Sequence, residues 1–345
     1  MDAAFLTGGT GFLGANLARL LLAKGLRVRC LARRGGNRKN LEGLPVELIE
    51  GDLHDKAALR VGCAGARYVF HVAADYRIWV PDPEAMYAVN IHGTVNVLEA
   101  AGAAGTERIV HCSSVAAVRP PHGPGDPPSG EDCRYAGVED IVGPYKKSKW
   151  LSENAALELS GKGLPIVVVN PAAPIGPYDI KPTPTGRIVA DFLNRRMPSY
   201  IDTGLNVVHV RDAAEGHWLA ALKGRVGERY ILGGENLTFK RALDLLEEAT
   251  GLSAPRFKTP YALAYAFAAA DTARARLFGG EPRAPLDAVR MARHPMFYDS
   301  AKAVRELGYS PRPARQALAD AARWFVANGY APVPPSWVRA EAAVA

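Results

Sequence analysis

The chain has 345 residues, 48% hydrophobic and 22% charged, a globular composition that excludes wholesale disorder and supplies a large core without staples. Its four cysteines (Cys30, Cys63, Cys112, Cys133) lack CxxC spacing and its eight histidines lack HExxH, which argues against a disulfide framework and a metal site. Net charge is +7, but six basic residues between Arg27 and Lys39, with no acid among them, leave a balance of +1, which points to one anionic ligand rather than a nucleic-acid surface. With no signal peptide before the first strand and no apolar run near the ~18 residues of a membrane span, a soluble, cytoplasmic protein is expected.

In chain order, Ala3–Leu6 reads as a short apolar strand running into a glycine cluster, and Phe12–Lys24 as a helix with Leu13, Leu17, Leu20 and Leu21 at helical spacing. Leu26–Ala32, Val46–Glu50 and Tyr68–Val72 read as strands, with a helix near Lys56–Val61 before the last. A long helix is predicted over Ala85–Ala104, a strand at Arg108–Cys112, a helix over Asp140–Leu159 and a strand at Pro165–Asn170. Strands alternating with helices predict a parallel sheet covered on both faces: a Rossmann-like, doubly wound α/β domain that binds its ligand beyond the carboxyl ends of the strands.

After Asn170 the texture changes. Proline and glycine punctuate Pro171–Gly186, and shorter segments follow: Val207–Val210, the helix Asp212–Leu222, the strand Arg229–Leu232 and the helix Phe239–Thr250. Helical patterns recur around Tyr261–Leu277, Ser300–Leu307 and Ala314–Asn328. The expected division is a sheet domain at 1–170, rejoined by segments near 205–235, and a smaller α+β substrate lobe at 171–204 and 236–335. The stretch Arg119–Asp132, with five prolines and three glycines, reads as a lid, a binding loop or a surface excursion.

Gly8, Gly11 and Gly14 follow the first strand and open the first helix. Glycine there permits a tight turn, close approach of backbone to a pyrophosphate and close helix–strand packing, while the helix N-terminus offers free amides to the anion. Gly8, Thr10, Gly11, Phe12, Leu13 and Gly14 are therefore the candidate dinucleotide loop. An acid closing the second strand would hold the ribose 2′-hydroxyl of NAD; Arg33 and Arg34 stand there instead, which favours NADP, with NAD as the alternative. Asp52, followed by Leu53, is placed either to accept from the adenine amino group or to cap the next helix.

Tyr145 and Lys149, four residues apart, share one face of a helix, and Ser113 and Ser114 end the fifth strand on the ligand side. The grouping suits carbonyl reduction. A ketone receiving hydride needs a proton, which a tyrosine gives when a neighbouring ammonium lowers its pKa from about 10. The lysine would also hold the nicotinamide ribose, and a serine hydroxyl would orient the carbonyl.

The runs TGGTGFLG (7–14), GDL (51–53), HVAA (71–74), VNIHGT (89–94), SS (113–114), YKKSK (145–149) and NPAAPIGP (170–177) resemble the extended short-chain dehydrogenase/reductases, the NAD-dependent epimerase/dehydratase family. HVAADYRIW, DIKPTPTGR, MPSYIDTGLNVVHV and ILGGENLT are similar to its hopanoid-associated sugar epimerase-like and dihydroflavonol-4-reductase-like members. The resemblance implies Tyr145 as acid/base, Lys149 as its electrostatic partner, Ser114 as the group that positions substrate, and Asn90 as support for a water that relays protons to Lys149. It further implies Ala73 and Ala74 at the adenine ribose, Pro171 presenting backbone to the nicotinamide, and a homodimer formed through the Asn90 and Tyr145 helices. His209-Val210-Arg211-Asp212 departs from the HVDD of many relatives.

Weaker substrate candidates are Tyr76, Tyr178, Arg187 and Arg211, with Trp79 and Arg196 beside them; lobe-interface packing and surface placement are the competing readings. His71 reads as a satisfied core histidine. Ala262–Ala270 reads as a core helix, with membrane-surface contact as the other possibility. Together these readings predict an NADP-dependent oxidoreductase acting on a ketone or secondary alcohol of a hydrophobic or sugar-like small molecule. The alternatives are a nucleotide-sugar epimerase with tightly bound NAD(P), as in hopanoid biosynthesis, and a non-catalytic dinucleotide sensor. Val115-Ala116 after Ser114, in place of the acidic pair of resembling dehydratases, argues against a dehydratase.

Overall fold

The computed structural model describes residues 2–123 and 125–337. Its first part alternates strands and helices: β1 (Ala3–Thr7), α1 (Phe12–Ala23), β2 (Arg27–Ala32), β3 (Glu47–Glu50), α2 (Lys56–Cys63) and β4 (Tyr68–His71). Next come α3 (Glu84–Tyr87), a π turn at Ala88–His92, α4 (Gly93–Ala103), β5 (Arg108–Cys112), α5 (Pro144–Gly161) and β6 (Ile166–Pro171). Then follow β7 (Ala173–Ile175), α6 (Pro184–Leu193), β8 (Ser199–Tyr200), β9 (Gly204–His209), α7 (Val210–Lys223) and β10 (Arg229–Leu232). The remainder is β11 (Glu235–Thr238), α8 (Phe239–Thr250), β12 (Phe257–Lys258), α9 (Tyr261–Phe278), α10 (Leu286–Met291), α11 (Ala301–Leu307) and α12 (Ala314–Ala327).

Among the described residues, seven strands form one parallel sheet in the order β10-β6-β5-β4-β1-β2-β3. The chain winds away from β1 in both directions, so a crevice opens between the carboxyl ends of β1 and β4. Register aligns Thr7 with His71 and His71 with His111, which brings three strand ends level at that crevice. Leu6, Phe70, Val110 and Val169 pack against α1 and α7; Phe5, Val69, Ile109 and Val168 pack against α2, α4 and α5. Burial on both faces explains why these strands are near-continuous apolar runs. Each large side chain so buried contributes roughly 1.5–3 kcal/mol of transfer free energy. The fold is the expected Rossmann-like α/β architecture.

The smaller lobe has its own sheets, β11-β9-β7 and β12-β8. A separate core of Ile175, Val189, Phe192, Val207, Leu243, Leu246, Leu318 and Phe325 joins them to α6, α8 and α12. The segment 205–235 divides between the lobes. β9 pairs with β7 and β11 in the small sheet, whereas α7 lies on α1 and β10 completes the edge of the large sheet.

Three features differ from the sequence expectation. The proline-rich texture of 171–186 hides β7 and the start of α6: Thr183 Oγ1 accepts from Gly186 N at 3.1 Å, and Pro184 sits in the first turn, where a missing N–H costs nothing. The helix predicted over 85–104 is interrupted by the π turn, at which Asn90 is buried. Arg119–Asp132 is docked in its second half. Ser129 N donates to Phe297 O, Asp299 N donates to Ser129 O, both at 3.0 Å, and the Glu131 carboxylate accepts from Ile231 N at 2.8 Å. Among the described residues no helix is long and apolar enough to cross a membrane.

Candidate active site

β1 delivers the chain to the crevice and turns at Gly8, whose φ of +78° lies in the left-handed region. A Cβ on Gly8 would lie 2.6 Å from Ala73 N, and one on Gly14 would lie 2.1 Å from the Gly8 carbonyl oxygen. Gly9, outside the three-residue spacing, is equally confined, because its Cβ would meet Cys30 Sγ at 2.8 Å. Gly11 is exposed and caps α1 with no side chain on the first-turn amides, which leaves those donors for an anion. Phe12 and Leu13 form that first turn, and Asn40 Nδ2 braces the loop by donating to Thr10 O at 3.2 Å and Tyr178 O at 3.0 Å. A cradle of close-packed backbone that tolerates no Cβ, beside uncapped amides, fits a dinucleotide pyrophosphate.

The basic cluster at 27–39 does not act as one site. Arg27 begins β2, at the end away from the crevice. Arg29 donates to the carbonyls of Gly62 and Ala64 at 3.0 and 2.6 Å and is a structural residue. Only Arg33, Arg34, Arg38 and Lys39 follow the carboxyl end of β2. Glu50, at the end of β3, pairs with Arg38 and lies 3.8 Å from Arg34. Arg33 is exposed and makes no ion pair among the described residues.

Asp52 Oδ1 accepts from the amides of His54 and Asp55 at 2.8 and 3.2 Å, forming the turn into α2, while Asp55 is the residue that caps that helix. Leu53 is buried beneath Gly93. Beyond β4, Thr7 Oγ1 bonds His71 Nδ1 at 2.8 Å and accepts from Ala73 N at 3.3 Å; His71 Nε2 bonds Thr94 Oγ1 at 2.9 Å. Burial pushes His71 down to about 3, with the Lys149 charge adding to the effect, so it is a neutral core residue with both nitrogens partnered. Asp75 N, following Ala74, donates to Asn90 Oδ1 at 2.7 Å. Asn90 Nδ2 donates to Asp75 O at 2.8 Å and to Ser148 Oγ at 2.9 Å. Both amide hydrogens of Asn90 are thereby used in clamping the Asp75 backbone to α5, and its backbone carbonyl accepts from Thr94 Oγ1 at 2.6 Å.

Gly143, with φ +78°, and Pro144 start α5 one residue before Tyr145. The Ser114 hydroxyl lies beside the Tyr145 phenol. Ser114 Oγ accepts from Ala116 N at 3.1 Å, whereas the Ser113 hydroxyl is buried without a partner, so the second serine is the one beside the tyrosine. One turn on, Lys149 Nζ donates to Cys112 O at 2.7 Å. Burial pushes Tyr145 up to about 12, opposed by the Ser114 hydroxyl, and burial lowers Lys149. Pro171 ends β6 and is buried opposite Leu232.

Sequence reasoning missed the support beneath this pair. Asn170 Nδ2 donates to Ser114 O at 2.9 Å and to Glu153 Oε2 at 2.6 Å. Glu153 is ion-paired with Arg229 at 2% and 5% side-chain exposure, and Arg229 also donates to Glu131 O. The available signal was the four-residue step Tyr145, Lys149, Glu153 along one helix face.

Of the substrate candidates, Tyr76 and Arg187 are exposed and share an electrostatic neighbourhood with buried Asp179. Burial pushes Asp179 up to about 6, opposed by bonds from Thr183 N and Oγ1. Tyr178 instead fills the seam between lobes, with the Arg19 guanidinium 3.7 Å from its ring centroid and Trp324 6.3 Å away. Arg211 is exposed in the first turn of α7; its neighbour Asp212 is buried and accepts from Arg312 N and Nη1 at 2.7 and 2.5 Å.

Comparison with known proteins accords with this geometry. A profile of the NAD dependent epimerase/dehydratase family matches residues 4–233. The chain belongs to this family. Over 333 residues it is 45% identical to a Synechocystis sp. protein provisionally named dihydroflavonol 4-reductase, with 95% of this chain and 96% of that one covered. It is 36% identical to sterol demethylase protein B of Methylococcus capsulatus, with coverage of 94% and 98%. The crystal structure of gox2253 superposes with a TM-score of 0.85 at 44% identity, covering 96% of this chain and all of that one. As a member of the NAD dependent epimerase/dehydratase family, the protein is an NAD(P)-dependent oxidoreductase or epimerase.

Proposed function

We propose that this family member reduces a ketone, or oxidises the matching secondary alcohol, on an apolar ring-bearing small molecule, using NADP. The observation that carries the reading is the placement of the Tyr145 phenol, kept protonated by burial, beside Ser114 and one turn from Lys149 at the ligand edge of the sheet. A protonated acid is what ketone reduction consumes, whereas epimerisation first demands a base. The names of the two relatives, one a reductase of a dihydroflavonol and one a sterol protein, support a ring-bearing apolar substrate.

A reduced nicotinamide, when bound, supplies hydride to the carbonyl carbon. The chain's own residues handle the oxygen and the proton. Ser114 Oγ, fixed by the bond it accepts from Ala116 N, would turn its hydroxyl hydrogen from the phenol to the carbonyl oxygen and orient it. Tyr145 transfers its phenolic proton to that oxygen as negative charge develops there. Lys149, fixed one turn away by the Cys112 carbonyl, supplies positive charge that stabilises the resulting tyrosinate. Gly8, Gly11 and Gly14 would hold the pyrophosphate, Ala73 and Ala74 the adenine ribose, and Arg33, unpaired at the end of β2, the 2′-phosphate. Partly exposed Ile91, Val95, Trp150 and Leu151 on the outer side of the α4 and α5 region support a homodimer.

The test is to identify any dinucleotide released on denaturation and to titrate the stripped protein with NADPH and NADH. An empty protein that prefers NADPH, with the preference reduced about tenfold in Arg33→Ala (about 1.4 kcal/mol), supports the reading. Stoichiometric, tightly held NAD would replace it with epimerisation.

A further inference from the structure

In a water-soluble helix the apolar face is turned inward and the polar face outward. α9 reverses this order. Its buried residues are Ala268, Asp271, Thr272 and Ala275. Asp271 Oδ2 accepts from the amides of Arg283 and Ala284 at 2.5 and 3.1 Å, and Thr272 Oγ1 accepts from Leu286 N at 3.0 Å, so the polar side of the helix is used in fastening the following turn. Leu263 (62% exposed), Phe267 (56%) and Leu277 (77%) lie with Ala266 and Ala270 along the outer side, at three- and four-residue spacing and their multiples. Phe257, in β12 just before the helix, and Phe278 at its end are more exposed still, at 78% and 83%.

From Arg256 to Arg293 the chain carries seven basic and three acidic residues, and four of the basic ones are ion-paired: Arg256 with Glu247, Lys258 with Asp202, Arg274 with Asp271 and Arg290 with Asp287. Among the described residues Arg276, Arg283 and Arg293 make no ion pair. Arg274, within the stripe, folds its guanidinium back onto Asp271. At the C-terminal end of α9, Ala275, Arg276 and Gly279–Glu281 form one wall of a cleft of about 510 Å³. The other wall is Arg77, Trp79 and Pro81, from the segment that leaves the candidate site at Asp75 and Tyr76.

We propose that the outer face of α9, with Phe257 and Phe278, seats the protein on an anionic lipid surface, so that an apolar substrate enters from the bilayer by the cleft beside Trp79. An apolar stripe that ends at the exposed, unpaired guanidinium of Arg276, with Arg283 exposed in the turn that follows, is complementary to acyl chains beneath anionic headgroups. A second copy suits it less well, because a two-fold contact through the stripe would bring two sets of arginines together. The entry route rests on the apolar-substrate reading; the docking does not, so Tyr145→Phe binds vesicles as the unaltered protein does, whatever its activity.

Flotation of the full chain with vesicles tests the docking, using phosphatidylcholine alone and a two-to-one mixture with phosphatidylglycerol. The protein is expected to float with the mixed vesicles, and to be released as salt rises from about 0.1 to 1 M and the screening length falls from about 10 to 3 Å. Leu263→Glu/Phe267→Glu should lower the bound fraction at least tenfold while retaining the NADPH affinity and melting temperature of the unaltered protein. Arg276→Glu/Arg283→Glu should lower binding to the mixed vesicles and leave it unchanged on phosphatidylcholine. Failure of the unaltered protein to float overturns the proposal. So does equal flotation of the Leu263/Phe267 variant, or a dimer in light scattering that this variant alone dissociates.

Discussion

The ligand edge of the large sheet and the smaller lobe solve different problems. At the edge, each site residue is held by neighbours that the sheet register supplies: Gly8 lies against Ala73, Thr7 bonds His71, and Lys149 bonds Cys112 O. These constraints involve a backbone approach at Gly8, a side-chain pair at Thr7 and His71 and a backbone acceptor for Lys149, and they tolerate few residue types. The lobe is assembled from strands of two to six residues and helices contributed by separate stretches, joined through side chains such as Phe192, Leu246 and Phe325. Its positions require apolar volume rather than one residue type. An enzyme built this way keeps its chemistry at the sheet and its selectivity in the lobe.

The largest test of that contrast is at Tyr145. Tyr145→Phe removes the proton donor without disturbing the glycine cradle, so kcat for ketone reduction should fall about 10²–10⁴-fold with dinucleotide affinity unchanged. A variant with full kcat would separate the edge from the chemistry. Next is the buried pair beneath it. Arg229→Met leaves Glu153 charged and unpaired and should cost about 3–5 kcal/mol, read as a fall in the denaturation midpoint. A loss well below 1 kcal/mol would show that the edge does not depend on this support.

Asp179, near the seam, carries a pH signature. Its folded pKa of about 6 lies above the usual 3.8, so the folded state holds a proton that the unfolded state has lost between those values. Stability from this group is complete below pH about 4 and lost as pH rises through about 6, roughly 2–3 kcal/mol in all. Asp179→Asn should flatten the dependence in that window; an unchanged pH profile would place the carboxylate in a wetter setting. The smallest effect sharpens the comparison within glycine itself. Gly25 has φ +83° and open space around its added Cβ, so Gly25→Ala should cost only about 1 kcal/mol of stability. Gly14→Ala, which drives a Cβ into the Gly8 carbonyl, should lower dinucleotide affinity at least tenfold. Equal effects on binding would remove the distinction between a turn glycine and a cradle glycine.

Local signals carried much of this protein. Buried apolar runs separated by helical spacing specify the βα units up to β6, because most of these strands pair with the strand before them; β4 alone returns past β2 and β3 to pair with β1. Likewise Gly8 and Gly14, and the pair Tyr145 and Lys149, are legible as a grouping, since a tight turn and one helix face fix their spacing within a short stretch of chain. Three-dimensional packing decided the rest. Strand polarity split the basic cluster, sending Arg27 and Arg29 away from the crevice, and brought Glu50 beside Arg38. The π turn and α5 consumed the Asn90 amide in clamping Asp75. Glu153, Asn170 and Arg229 became one support only when β10 closed the sheet beside β6. The orientation of α9 was likewise beyond periodicity, because its apolar residues face outward and its buried side is committed to Arg283, Ala284 and Leu286. Each of these outcomes depends on a partner dozens of residues away or on which face of an element is covered, and a linear pattern carries neither.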